Sequence, residues 1–95
     1  TNYCENIYWV FGLVCNDLSK DAKWFTNRLS KNEIGSRPFF YPMHKQPCLQ
    51  SKRKGTLCLK QSEYMGKYGF YLPSGVTLKN EDIEKISNLL ISEIK

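Results

Sequence analysis

The spacing of apolar and polar positions changes several times along the chain, and each change predicts an element. Ile7 to Val14 (IYWVFGLV) is a short run of β-branched and aromatic residues between Asn6 and the pair Asn16 and Asp17, which reads as a strand. Ile7, Trp9, Phe11 and Leu13 fall on one side of it and Tyr8, Val10 and Val14 on the other, so both faces ask for cover. From Ser19 to about Asn32 the spacing becomes helical, with Ala22, Phe25 and Leu29 on one stripe and Trp24 beside it. Ser19 is the expected N-cap, Asp21 and Lys31 suit the two ends of the helix dipole, and Gly35 is expected to close the element.

Ser36 to Tyr41 follows as an extended segment, and Met43 to Lys45 has room for one turn of helix. Gln50 to Lys60 is polar and basic, is broken by Gly55, and reads as an exposed loop. A short helix is expected over Ser62 to Tyr68, stopped by Gly69, and then a strand over Phe70 to Leu72, ended by Pro73. The clearest helix runs from Asn80 to Ile94, with Ile83, Ile86, Leu90 and Ile94 on one stripe, Leu89 widening it, and Glu81 and Asp82 at its positive end. Strand, helix, strand, helix, strand, helix gives an α/β (α+β) domain: a short three-stranded sheet with helices packed on one face.

Length and charge narrow this picture. At 95 residues the chain is one domain, with 41% hydrophobic residues for one core and no apolar run long enough to span a bilayer. It lacks an initiator Met and a leader, so the reading is a domain of a longer cytoplasmic protein that touches no membrane. The net charge of +5 gathers around Lys45, Lys52, Arg53, Lys54 and Lys60. No aromatic interleaves with that cluster, so it is read as a solvated loop and not as a nucleic-acid site. Cys4, Cys15, Cys48 and Cys58 form no CxxC pair and have one histidine for company, which argues for reduced thiols and no metal site. Their even number leaves a disulfide framework open.

The densest chemistry lies in Ile34 to Pro47, IGSRPFFYPMHKQP, which holds three aromatics, three prolines, Arg37 and the only histidine. Pro38, Pro42 and Pro47 stiffen the segment, as befits a wall that holds side chains in place. Arg37 offers a permanent cation with paired planar donors for a carboxylate or diphosphate. His44 can hydrogen-bond a ligand, and Phe39, Phe40 or Tyr41 can stack on an apolar or planar ring. The alternative is structural: the aromatics fill the core, Arg37 meets a carboxylate of the same domain, and His44 is a satisfied helix-end donor.

NIYWVFGLV, IGSRPFFYPMHKQP, SEYMGKYGFYLPSG and TLKNEDIEKI together resemble the C-terminal domain of the DegT/DnrJ/EryC1/StrS sugar-nucleotide aminotransferases, with perosamine synthetase-like members nearest. Ser36 and Lys79 stand where threonines are frequent, and Lys52 to Lys60 is more basic than the pattern. The resemblance implies the small domain of a fold-type I, pyridoxal phosphate (PLP)-dependent transferase. Such an enzyme moves an amino group from glutamate to a nucleotide-linked keto-sugar for lipopolysaccharide O-antigen or related glycans, and it acts as a homodimer. The Schiff-base lysine and phosphate cradle would lie in the large domain, outside this chain, so residues 1–95 alone are expected to be inactive, with no catalytic or cofactor-binding residue. Within this chain the resemblance leaves Arg37, His44, Phe39, Phe40 and Tyr41 as substrate-binding candidates. A small non-catalytic binding module and a dehydratase of the same family are the alternatives.

Overall fold

A computed structural model describes residues 2–17, 19–50 and 57–94. The elements in order are β1 (Phe11–Val14), α1 (Ala22–Ser30), β2 (Arg37–Pro38), a 3-10 turn (Met43–Lys45), α2 (Pro47–Gln50), α3 (Lys60–Tyr68), β3 (Gly69–Leu72) and α4 (Asn80–Ile94). The sheet is antiparallel in the order β1-β3-β2, so the last strand in sequence lies at the centre. Phe11 pairs with Leu72 and Val14 with Gly69 on one side; Arg37 pairs with Tyr71 and Pro38 with Phe70 on the other.

Strand alternation sends Leu13 and Phe70 to one face, where Phe70 meets Ala22, Phe25, Leu29, Ile34, Ile86 and Leu90 in the buried core, and Leu13 packs against it. Phe25 and Phe70 stack with ring centroids 5.1 Å apart. α1 and α4 therefore cover this face. Glu93 holds them together at one end, its carboxylate taking the Arg28 guanidinium and its carbonyl the Lys20 ammonium at 2.6 Å. Gly12, Tyr71 and Arg37 belong to the opposite face.

The first strand is shorter than its apolar run. β3 ends at Leu72, so pairing stops at its partner Phe11. Tyr8 adopts a positive φ of 51°, with its N–H donating to the Asn6 side chain, and the arm leaves the sheet. Ile7, Tyr8, Trp9 and Phe11 remain exposed among the described residues, against the expectation of cover on both faces. β2 is cut short for a related reason: the Phe39 N–H still reaches the Gly69 carbonyl at 2.9 Å, but beyond Gly69 the partner chain is already helical.

Helix ends also differ from expectation. Asp21, not Ser19, caps α1 by accepting from the Trp24 N–H at 2.8 Å. Ser19 is engaged locally, its N–H and hydroxyl both donating to Asp17 Oδ1. At the far end the Ile34 N–H reaches the Leu29 carbonyl and the Glu33 N–H the Ser30 carbonyl, both at 3.0 Å, which is a Schellman closure. Its left-handed residue is Glu33, with φ 61°, instead of Gly35.

α3 starts two residues before the expected Ser62, and α2, opened by Pro47 at the position where a missing N–H costs nothing, is a further short helix that meets the expected loop only at Gln50. The basic cluster Lys52 to Lys54 lies outside the described residues. α4 matches its expected bounds, but Ile83 and Ile94 stay exposed and only Ile86 and Leu90 of the stripe are buried. The four cysteines are free.

Candidate functional site

On the outer face Phe39 lies across the sheet. Its ring stacks on Tyr71 at 4.5 Å between centroids and covers two glycines: a Cβ on Gly12 would stand 3.0 Å from the ring, and one on Gly69 would overlap it. Phe39, a substrate-binding candidate from the sequence, is half-buried and packs here across the sheet. Pro42, three positions on, is buried against Gly66 of α3.

His44 is also turned inward. Its side chain is 4% exposed, and its Nε2 is 2.9 Å from Glu63 Oε1. Lys45 approaches Glu63 Oε2 at 2.7 Å, so one carboxylate on α3 takes two neighbours from the 3-10 turn. The Lys45 hydrogen bond first, and the His44 bond second, hold Glu63 down to about 2 from its ordinary 4.5. Glu63 is therefore ionised at neutral pH and accepts only, so His44 Nε2 carries the hydrogen between them. The same contact raises Lys45 above its usual value.

Arg37 is exposed, and among the described residues no carboxylate lies within ion-pair distance of it. It lines an open cleft of ≈ 400 Å³ with Ser36, Trp9, Phe40, Tyr71 and Pro73. Trp9 is 67% and Phe40 73% exposed. Tyr41, 60% exposed, projects from the same segment one residue further on. The Ser36 hydroxyl is buried and has no hydrogen-bond partner among the described residues. A guanidinium beside three aromatic surfaces suits an anion attached to a planar or ring-shaped group. Sequence reasoning found Arg37 and Phe40 through their block; it missed Trp9 and Tyr71, which join them only through the β1-β3-β2 order, and Glu63, which lies 19 positions from His44.

A second cleft of ≈ 430 Å³ between the sheet edge and α4 is lined by Phe11, Leu72, Leu78, Ile83 and Ile86 and carries no charge. Neither of these clefts includes a lysine, and Lys85, at a third of ≈ 160 Å³, lies on the exposed side of α4 near Asp82 and Glu33. The first two clefts, without a lysine, do not fit the Schiff-base site of a PLP enzyme. Among them no group of three or more His, Cys, Asp or Glu gathers to hold a metal, and no helix is long and apolar enough to cross a membrane.

The model of the DegT/DnrJ/EryC1/StrS aminotransferase family matches residues 2–91. The chain belongs to this family. The match runs through the Trp9 arm, the Arg37 block, Glu63 and most of α4, so it embraces the whole cleft. No curated protein matches the chain.

Proposed function

We propose that this family member is the small domain of a PLP-dependent aminotransferase that passes an amino group from glutamate to a nucleotide-linked keto-sugar. In this reading the cofactor, its lysine and the phosphate cradle belong to a large domain outside residues 1–95, and the assembled enzyme is a homodimer. A perosamine synthetase-like role in lipopolysaccharide or related glycan synthesis is the specific form of the proposal.

The observation that carries it is Arg37, an exposed cation without a carboxylate partner among the described residues, set in an aromatic-lined cleft. Its charge suits the diphosphate of a sugar nucleotide or the carboxylate of glutamate, and Phe40 and Tyr41 supply ring surface beside it. Phe39 and His44 enter as residues that hold this wall in place. Steady-state kinetics of Arg37→Ala in the full-length enzyme test the reading. Its KM for one of the two substrates should rise by an amount worth about 1.5–3 kcal/mol with little change in melting temperature. Unchanged kinetic constants with a large fall in stability would overturn it.

A further inference from the structure

The aromatic segment is anchored at two points, with two exposed rings between them, Phe40 resting at its edge on Tyr71 with ring centroids 5.9 Å apart. At its start, β2 pairs Arg37 with Tyr71 and Pro38 with Phe70, and Phe39 is stacked on Tyr71 over Gly12 and Gly69. At its end, Pro42 is buried on Gly66, and His44 and Lys45 both reach Glu63. Between these points Phe40 and Tyr41 project as exposed rings.

We infer that Glu63 is a positioning residue for substrate: by gripping His44 and Lys45 together it fixes the far end of an arch whose crown, Phe40 and Tyr41, meets the ligand. This rests on the reading of the cleft given above.

The chemistry favours a clamp over an incidental ion pair. A carboxylate has two oxygens, and here each takes a different residue of one short turn, Oε1 the imidazole and Oε2 the ammonium. The two bonds therefore oppose rotation of the turn as well as its departure. The His44 side chain is 4% exposed and Glu63 is the partner of its Nε2–H, so losing Glu63 leaves that donor to be satisfied by a shift of the turn or by water entering the vacated site. Gly66 lies one helical turn beyond Glu63 on α3, next to the Pro42 ring, so the polar clamp and the apolar contact act on the same helix at adjacent positions. An arch held this way keeps two ring side chains in place at small entropic cost on binding.

The test uses the full-length enzyme with a nucleoside-diphosphate keto-sugar and glutamate. Glu63→Ala should raise KM for the keto-sugar about tenfold or more while kcat changes much less, and Glu63→Gln, which keeps an acceptor for His44, should recover part of the loss. Phe40→Ala should also raise KM, and when Glu63→Ala is added to a variant lacking both rings, Phe40→Ala with Tyr41→Ala, it should add little, because its effect passes through the rings already removed. Fully additive effects, or a Glu63→Ala enzyme that melts lower with KM unchanged, would overturn the inference while Arg37→Ala and Phe40→Ala still raise KM. If those two variants also leave KM unchanged, the reading of the cleft falls, and the clamp falls with it.

Discussion

Pro42 packs directly on Gly66: a Cβ at that glycine would stand 2.9 Å from both Cγ and Cδ of the proline. A glycine inside α3 costs about 1 kcal/mol against alanine, so helix propensity alone favours replacing it. The contact reverses the sign. Gly66→Ala should destabilise by about 1–3 kcal/mol, since a proline ring cannot rotate away. Chemical denaturation should show the loss, and Pro42→Ala in the same molecule should restore part of it. A stabilised Gly66→Ala protein would mean that the two elements are not in contact.

The left-handed position after α1 gives the opposite expectation. Glu33 holds φ 61° where Gly is the usual occupant, and Gly35, nearby, has nothing within 4 Å of where a Cβ would be. Glu33→Gly should therefore stabilise by roughly 0.5–1 kcal/mol, despite the greater freedom it gives the unfolded chain. Gly35→Ala should be neutral or gain about 0.4–1 kcal/mol. Thermal melts of the two single variants check both.

Acid should act through Glu63. Its carboxyl is held at about 2 in the folded protein against 4.5 ordinarily, so the folded state binds fewer protons than the unfolded state between those values. The contribution is fully present above pH 4.5 and is lost as pH falls toward 2. Asp17, lowered by the Ser19 hydroxyl and N–H, adds to the same trend. Melting temperature followed from pH 6 to pH 2 should fall less steeply in Glu63→Gln than in the parent. Identical acid limbs would show that the Lys45 and His44 contacts do not persist in solution.

α4 begins after Lys79, whose carbonyl takes the Asp82 and Ile83 N–H groups and whose own N–H donates to the Asp82 carboxylate at 3.1 Å. This is half of a capping box: the acid reaches back, but lysine has no acceptor to return the bond. Lys79→Thr should complete it and stabilise by about 0.5–1 kcal/mol, read as a raised melting temperature. Asn80 is already the first helical residue, so Asn80→Ala should cost little.

What could be read from the sequence depended on the range of the forces involved. α4 was legible to its ends because acidic residues at its start and a regular stripe are local signals. The apolar run Ile7–Val14 misled because a strand lasts only as long as its partner can pair, and β3, distant in sequence, ends at Leu72 opposite Phe11. Ser19 and Asp21 are equally good caps in isolation; the Asp17 side chain engages Ser19 and leaves the task to Asp21. In the candidate site, Arg37 and its exposed neighbour Phe40 were marked by a dense block, whereas Trp9 and Tyr71 joined them only through strand order. The partner of His44 was hidden because a Glu in a short polar helix looks like any surface acid until α3 is placed beside the 3-10 turn.

Phe39 fills with one ring the room left bare by glycines on two other strands, Gly12 of β1 and Gly69 of β3. A hairpin-like β1 and β3 pair has no side chain of its own at these points, and β2 alone has nothing to lay its ring upon. The outer surface of the sheet thus belongs to no strand singly. Folding intermediates with two strands docked and the third free would leave that room empty, so the three strands should gain that surface in a single cooperative step.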